Sequence, residues 1–306
     1  MFQILIGSNI PFMKYRKFAY VFSSALVLAT AVWLVVNGGP RYSVDFTGGT
    51  LLQVRTSRVL QADEVRGALE TAGMRGFELQ QLTGEHRDEF MLRTKSTGEQ
   101  RDLFTGVQQA IKARVPDVDV ELRRAEAVGP KVGSELRSKA FWAILGSLGG
   151  ILLYVGFRYE FKYAVGAVMA LFHDVMVTLG LLCFTGRELS LTVVAALLTI
   201  AGFSINDTIV VFDRIRERSK ALRREKHSRV MDIAVNETLS RTVITSLTVF
   251  LTALSLFIWG GDVLRDFSFA MVVGVTFGTY SSVYVASALA LDIWMALDRR
   301  KGLKVE

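Results

Sequence analysis

The chain has 306 residues, 51% of them hydrophobic, and a formal net charge of +7. A mean hydropathy of +0.34 in a chain that also holds a long polar block favours a membrane protein with one exported part. The single cysteine, Cys183, excludes an intrachain disulfide, and the three histidines are too far apart in sequence to suggest a metal site. We therefore expect no cofactor and no metal, and we assign the excess positive charge to membrane topology rather than to nucleic acid.

Six apolar segments are long enough to cross a bilayer as helices, which takes about 17 to 25 residues each. In chain order they are 18–36, 138–157, 163–184, 189–212, 238–259 and 267–297. The first follows a basic N-terminus, as a signal peptide does, but its apolar run is too long and no clear cleavage site follows it. We predict that this segment is a retained membrane anchor.

The basic residues of the short connections predict the orientation of the chain. They concentrate in four places, namely residues 1–17, residues 158–162, the connection 213–237 and the terminal stretch 298–306. Because positively charged short loops stay on the cytoplasmic side, both termini and the basic loop 213–237 are predicted to be cytoplasmic. The polar block 37–137 is then exported, and the protein is predicted to cross its membrane several times.

The exported block has the residue pattern of a small α+β domain. Strands are predicted at 44–54, 77–82, 90–94 and 118–122, and helices at 62–72 and 98–115. This order, βαββαβ, is the ferredoxin-like pattern. Gly48-Gly49 is expected to mark a bend or a close backbone approach. Because the block carries no catalytic set, we expect it to bind or push a partner, and we do not expect an enzyme.

Asp207 is the first candidate for a functional residue, because it lies inside an apolar segment. An ionised Asp at membrane depth costs about 2.5 to 3.5 kcal/mol, so it is retained only when it is paired, protonated or hydrated. Arg241 enters the next segment at a matching depth, about 6 to 10 Å into the apolar layer at 1.5 Å per residue. The two residues are predicted to pair as an ion-coupling site, although a purely structural salt bridge is the alternative.

Segment 238–259 also carries a run of polar side chains at steps of three and four residues, which places them on one helical face. They are Thr238, Arg241, Thr245, Thr248, Thr252 and Ser255. The face is a candidate path for protons or ions. Alternatively, hydroxyl side chains in membrane helices bond to their own backbone carbonyls or hold neighbouring helices together.

Further polar residues are candidates for a secondary relay. They are Asp174, His173, Asn206, Asp213 and Thr245. His173 and Asp174 are neighbours in the middle of one segment and point about 100° apart, so at most one is expected to face Asp207. For His173 the alternative is a packed, hydrogen-bonded side chain, and for Asp213 it is a charge network at the membrane boundary. Two GxxxG spacings, Gly146–Gly150 and Gly274–Gly278, predict close helix packing.

Several long motifs together resemble those of one family. They are Val44-Asp45-Phe46-Thr47-Gly48-Gly49-Thr50, Val155-Gly156-Phe157-Arg158-Tyr159-Glu160, Phe172-His173-Asp174, and the run from Ser204 through Asp207 and Asp213 to Glu217. The chain resembles the SecD/SecF family of the bacterial protein export machinery, within the RND transporter superfamily. The resemblance implies a six-helix half of an RND-type bundle with an exported domain between helices 1 and 2. It also implies that Asp207 and Arg241 couple ion movement to conformational change, with a SecD-like subunit and the SecYEG channel as partners.

The expected function is therefore a subunit of the Sec machinery that uses an H⁺ or Na⁺ gradient to promote movement of an unfolded exported polypeptide, in contact with membrane lipid. The residues do not distinguish the two ions. An RND-type exporter of lipids or small molecules is the alternative, although such a chain usually carries a second membrane half. A receptor would not require an intramembrane acid and base, and an intramembrane protease would need two carboxylates at one depth or the motif H-E-x-x-H, which is absent.

Overall fold

The computed structural model describes residues 8–74, 77–82, 86–95, 100–159 and 161–300. Backbone contacts divide the chain into two compact units, a helical unit made of residues up to Arg41 and from Trp142 onward, and a smaller unit, Tyr42–Phe141. Several predicted features fall outside the described residues, namely residues 1–7, the helix start at Gly98, the motif residue Glu160 and residues 301–306.

In chain order the first elements are a 3₁₀ turn at Phe12–Tyr15, α1 at Arg16–Val36, α2 at Val44–Thr47, β1 at Gly49–Thr56, α3 at Ala62–Thr71, β2 at Phe77–Gln81, β3 at Glu89–Thr94, α4 at Gln100–Arg114 and β4 at Val120–Val128. They are followed by α5 at Pro130–Arg158, α6 at Phe161–Phe184, α7 at Leu191–Ala221, α8 at His227–Trp259, α9 at Gly261–Ser281, a π-helical segment at Ser282–Ala286 and α10 at Ser287–Arg300.

Six helical stretches of the described chain are long and apolar enough to cross a membrane, as the sequence predicts. They are α1 with the preceding turn, α5, α6, α7, α8, and the continuous run from α9 to α10. The sixth contains a π-helical segment, a feature that often marks a functional position in a helix. The predicted fold class, six membrane helices with a small α+β domain between the first two, is confirmed.

Some predicted boundaries of the membrane helices differ from the structure. The connection predicted at 213–237 is mostly helical, because α7 continues to Ala221 and α8 begins at His227. Charged residues with long side chains favour helix. Guanidinium nitrogens of Arg214 and Arg218 in α7 also lie 2.6 and 2.5 Å from the carboxylate of Glu237 in α8. Helix α5 begins at Pro130 rather than at residue 138, since proline fits the first helical position, where its missing N–H costs nothing.

Helix α9 lies at the centre of the helical unit, where it packs against α6, α7 and α8. One of the two GxxxG spacings explains this position. A Cβ atom added at Gly274 would collide with the Ile200 side chain of α7, and one added at Gly278 would lie 3.6 Å from an oxygen of Asp174 on α6. A Cβ atom added at glycine 146 or 150 would meet no atom of another described element within 4 Å, so within the described chain only the second spacing mediates helix packing.

The smaller unit has a four-stranded antiparallel sheet in the order β2-β3-β1-β4. Its core lies between one face of the sheet and the helices α3 and α4, where Leu52 and Leu92 of neighbouring strands meet in register. This arrangement confirms the ferredoxin-like prediction. The first strand begins at Gly49 rather than at Val44, because Ser43 caps the single turn α2 by accepting a hydrogen bond from the Asp45 N–H at 3.2 Å.

Gly48 and Gly49 form the transition from α2 to β1. Both have positive φ, +71° and +116°. A Cβ atom at Gly48 would lie 2.6 Å from the Cα of Pro130, and one at Gly49 would collide with the carbonyl oxygen of Thr94 in β3. The pair is therefore a point of close backbone approach, as the sequence indicates, and the strand pairing of β1 with β3 depends on it.

We expect Gly49→Ala to lower the unfolding free energy of this unit by about 2 kcal/mol or more, because the change adds a backbone collision to an unfavourable φ. The measurement is thermal unfolding of the purified chain in detergent, combined with limited proteolysis. Gly73→Ala is the matched control, since Gly73 also has positive φ, +75°, but open space around it, and there we expect only about 1 kcal/mol. Equal losses in the two variants would contradict the close approach.

Candidate functional site

The carboxylate of Asp207 lies inside the helical unit, where three elements meet. Asp207 as a whole is 6% exposed to solvent. The Thr242 hydroxyl of α8 donates to Oδ1 at 2.6 Å, and the Ser282 hydroxyl of the π-helical segment donates to Oδ2 at 2.6 Å. Both carboxylate oxygens therefore have a side-chain donor, each from a different helix, so the acid is held by hydroxyl groups.

The helical repeat of α7 explains why Asp207 faces inward. Ile200, Ser204, Asp207 and Val211 follow one another at steps of three and four residues, and all are buried. The same face carries the acid and, one turn before it, Ser204. Two polar groups therefore lie on the buried stripe of an otherwise apolar helix face.

A second buried carboxylate lies next to the first. Asp174 of α6 is 0% exposed and accepts hydrogen bonds on Oδ2 from Ser204 at 2.5 Å and from Ser281 at 2.7 Å. Its Oδ1 lies 2.9 Å from Nδ1 of His173, which is 3% exposed. The two neighbouring residues thus form one hydrogen-bonded pair, and neither contacts Asp207 directly. The link to the first acid runs through serines.

Arg241 does not form the predicted ion pair with Asp207. No nitrogen of Arg241 lies within 4.0 Å of a carboxylate oxygen in the described residues, and the side chain is exposed on the outer surface of α8. Adjacent residues in a helix point about 100° apart, and it is Thr242, not Arg241, that faces α7. The guanidinium still interacts with Asp207 electrostatically.

The predicted polar stripe of α8 is divided between two faces. The buried hydroxyl residues are Thr238, Thr242 and Ser246, at a spacing of four. The exposed polar residues are Arg241, Thr245, Thr248, Thr252 and Ser255. The exposed threonines donate to carbonyls of their own helix, as the alternative interpretation states; for example, Thr245 bonds the carbonyls of Arg241 and Thr242 at 3.0 and 3.1 Å.

Two further candidates on α7 lie on its exposed side. Asn206 is adjacent to Asp207 in sequence but points outward. Asp213 is also exposed and lines an open cleft of about 600 Å³ with Arg216, Glu217 and Lys220. The structure therefore brings together Asp207, Asp174 and His173, and places Asn206, Asp213 and Thr245 outside that cluster.

Sequence reasoning missed four hydroxyl groups of the cluster, namely Thr242, Ser282, Ser204 and Ser281. Spacing gives no signal for Thr242, because repeated steps of four residues drift by about 40° each around a helix, whereas alternating steps of three and four stay closer to one face. Nothing in the sequence separates Ser281 and Ser282 from other serines. Within the described residues, no group of three or more His, Cys, Asp or Glu side chains has the arrangement of a metal site.

Comparisons with known proteins agree on one family. Residues 107–296 match the model of the C-terminal part of the protein export membrane proteins SecD/SecF, and residues 32–58 match the SecD/SecF GG motif. The chain is similar to the protein translocase subunit SecF of Vibrio alginolyticus, with 43% identity over 100% of this chain and 97% of the relative. It is also 39% identical to the subunit of that name from Escherichia coli O157:H7, over 96% of this chain and 91% of the relative.

Solved structures show the same likeness. The crystal structure of SecDF from Thermus thermophilus, described as a translocon-associated membrane protein, has a TM-score of 0.84 and 38% identity over 96% of this chain. A super-membrane-facing form of SecDF has a TM-score of 0.72 and 37% identity. In both cases this chain spans 40% of the SecDF chain that it matches.

We expect Thr242→Val to destabilise the helical unit by about 1 to 3 kcal/mol, because the change removes a donor from a buried carboxylate without changing side-chain volume. Thr245→Val is the matched control on the same helix. Its hydroxyl bonds only its own backbone in the described structure, so we expect a change within about 0.5 kcal/mol. Thermal unfolding of the purified chain in detergent measures both, and equal effects would show that the contact with Asp207 contributes nothing.

Proposed function

The chain belongs to the SecD/SecF family of protein export membrane proteins. We propose that its helical unit uses an H⁺ or Na⁺ gradient to promote export of unfolded polypeptides. Asp207 is the ion-coupling acid of this proposal. The observation that carries it is an ionisable side chain, 6% exposed, whose side-chain hydrogen-bond partners among the described residues are the hydroxyls of Thr242 in α8 and Ser282 in the π-helical segment. The protein acts as a translocase subunit, and ion movement, not hydrolysis, supplies its energy.

Hydroxyl partners suit an acid that gains and loses a proton. A serine or threonine hydroxyl donates one hydrogen and accepts on its oxygen, so Thr242 and Ser282 can bond both the ionised and the neutral carboxyl. Asp207 can therefore change charge without leaving a buried polar group unpaired, which would cost about 1 to 3 kcal/mol. An arginine in direct contact would instead hold one charge state.

Arg241 is placed to sense the charge of Asp207 from the neighbouring surface. It lies one residue from Thr242, on the exposed side of α8, and interacts electrostatically with the acid. An ionised Asp207 attracts the guanidinium, and a neutral one does not. Because neighbouring helix positions differ by about 100°, a partial rotation of α8 would exchange the side chain that faces the acid. This gives the helices two arrangements that differ in the charge of Asp207.

The energy available is adequate for such a switch. One elementary charge crossing a potential of 100 mV supplies about 2.3 kcal/mol. That amount shifts a two-state equilibrium about fifty-fold. Repeated cycles of ion binding and release would then drive repeated changes of shape, which the exported α+β domain would transmit to an emerging polypeptide.

The outer surface of α7 and α8 carries polar side chains among apolar ones such as Leu247 and Leu251, and these polar side chains require a partner within the membrane. Asn206, Arg241 and Thr248 are exposed there, at positions where lipid would otherwise surround them. Charged and polar side chains at that depth are covered by protein or water. A SecD-like subunit fits this surface, since the solved SecDF chains hold a further 60% of sequence beyond the part that resembles this chain.

The remaining assignments follow from the family and from the charge pattern. We place the protein in a bacterial inner membrane, with both termini in the cytoplasm and the α+β domain exported. The SecYEG channel, the moving polypeptide and membrane lipid are its proposed partners. The coupling ion is H⁺ or Na⁺, and no cofactor takes part.

We expect Asp207→Asn to remove at least nine-tenths of gradient-driven export, because the amide cannot take up or release a proton. Arg241→Met should reduce the same component, since it removes the charge that responds to the acid. The measurement is export into membrane vesicles containing the complete machinery, energised with an H⁺ or a Na⁺ gradient separately. Asp213→Asn is the matched control, an isosteric change at an exposed position of the same helix. Full gradient-driven export with Asp207→Asn would refute the coupling role.

We expect a cysteine at Thr248 to cross-link to a co-purified SecD-like subunit, because this position lies on the exposed polar face of α8. The background is Cys183→Ala, which removes the only native thiol. Val21→Cys is the control, since Val21 is 70% exposed on the apolar outer side of α1. Cross-linking from Val21→Cys but not from Thr248→Cys would place the partner on another face.

A further inference from the structure

Asp174 is a second acid buried in the helical unit, and ion coupling through Asp207 does not by itself require it. It is 0% exposed and lies on α6, with Ser204 of α7 and Ser281 of α9 as hydroxyl donors at 2.5 and 2.7 Å. No lysine or arginine pairs with it in the described part of the chain. A buried acid without a cationic partner is costly to keep unless it has a role.

His173 makes this acid part of a pair with room for another proton. Its Nδ1 lies 2.9 Å from Oδ1 of Asp174, so one proton already occupies the line between the two atoms. The other ring nitrogen, Nε2, is buried and has no hydrogen-bond partner among the described residues. The Phe277 and Tyr280 rings lie beside the imidazole, with ring centres 6.4 and 6.0 Å away.

Ser281 and Ser282 connect the two acids, because these sequence neighbours bond different carboxylates. Ser281 donates to Asp174 at 2.7 Å, and Ser282 donates to Asp207 at 2.6 Å. They stand where α9 becomes the π-helical segment. A movement of this short stretch therefore changes the hydrogen bonding of both acids together.

Each of these serines also has a second acceptor on its own helix. The Ser281 hydroxyl lies 3.1 Å from the carbonyl oxygen of Gly278, and the Ser282 hydroxyl lies 3.0 Å from that of Thr279. A hydroxyl has one hydrogen, so it bonds either the carboxylate or the carbonyl. When the acid is ionised, the hydrogen points to the carboxylate. When the acid is neutral, the carboxyl O–H donates to the serine oxygen, and the serine hydrogen turns to the carbonyl.

We propose that the His173–Asp174 pair is a second proton-binding site and that Ser281 and Ser282 couple its protonation to that of Asp207. The step is a proton transfer alone: a proton arriving at Asp174 forms an O–H bond on Oδ2. The Ser281 hydroxyl keeps its hydrogen but rotates, so that it donates to the Gly278 carbonyl instead of to Oδ2. The reverse step returns the proton and restores the first bond. This inference rests on the proposed role of Asp207 as the coupling acid.

The surroundings of the pair contain few other groups that change charge. On α7 the nearest acid is Asp207, one helical turn from Ser204. On α9 the titratable neighbour is Tyr280, whose hydroxyl lies 3.1 Å from that of Ser23 on α1 and bonds the carbonyl of Ala19. Within the described contacts of Asp174, the only other charged or titratable group is thus His173.

The first test is infrared difference spectroscopy of the purified complex with its SecD-like partner, stepped in pH at constant Na⁺. We expect two buried carboxyl bands that respond to pH, one lost in Asp207→Asn and the other in Asp174→Asn. If the pH-responsive band of Asp207 is present but no pH-responsive band is lost in Asp174→Asn, this inference is overturned and the proposed function is left intact. A band of Asp174 that responds to Na⁺ at constant pH would make the site a sodium site and equally refute it.

The second test measures the coupling. We expect Asp174→Asn to move the titration midpoint of the Asp207 band by about one pH unit, as for interacting sites. That displacement should shrink in a Ser281→Ala background. Ser268→Ala is the matched control, a buried serine of the same helix whose hydroxyl donates to the Leu264 carbonyl. Equal displacements in the Ser281→Ala and Ser268→Ala backgrounds would refute the serine link.

A third variant covers the case in which Asp174→Asn does not assemble. His173→Gln keeps a hydrogen-bonding side chain but removes the titrating ring. We expect the Asp174 band to shift in frequency and in its titration midpoint, because its partner at 2.9 Å has changed. An unaltered band would show that the imidazole and the carboxyl do not act as a pair.

Discussion

The arrangement of the helical unit depends on keeping one carboxylate, Asp207, hydrogen-bonded in an apolar interior. An unpaired acid at that depth is costly, so its two oxygens must meet donors from other helices. Thr242 and Ser282 supply them at 2.6 Å each. This requirement sets the rotation of α8, brings the π-helical segment against α7 and places α9 at the centre, where Gly278 allows close approach.

The same requirement separates two kinds of polar side chain on α8. Thr242 and Ser246, four residues apart, face inward, where Thr242 donates to Asp207 and Ser246 accepts from Thr279. Thr245 and Thr248 face outward, as Arg241 does, and their hydroxyls donate to carbonyls of their own helix. One helix thus presents hydroxyl partners to the buried acid and a guanidinium to the outer surface of the helical unit.

Residue patterns predicted the larger features of this fold well. The length of apolar runs predicts all six membrane helices, and alternation with turn residues predicts βαββαβ and the close approach at Gly49. The acids Asp207 and Asp174 stand out because charge is rare in apolar segments. Their partners do not, because depth along a helix is readable from sequence whereas rotation about its axis is not. A difference of one residue, about 100°, separates Arg241 from Thr242.

The π-helical segment shows why such a site is hard to predict and why it suits a switch. In a regular helix every donor and acceptor is fixed by the i to i−4 pattern, so side chains that follow one another point about 100° apart. A π turn adds one residue to the helical turn and offsets that pattern. At this turn the Ser287 side-chain hydroxyl donates to the Ser282 carbonyl, five residues earlier, at 2.9 Å. The offset lies directly beside the two serines that bond Asp174 and Asp207. A change of charge at either acid would therefore act on the stretch where the helix changes its hydrogen-bond pattern.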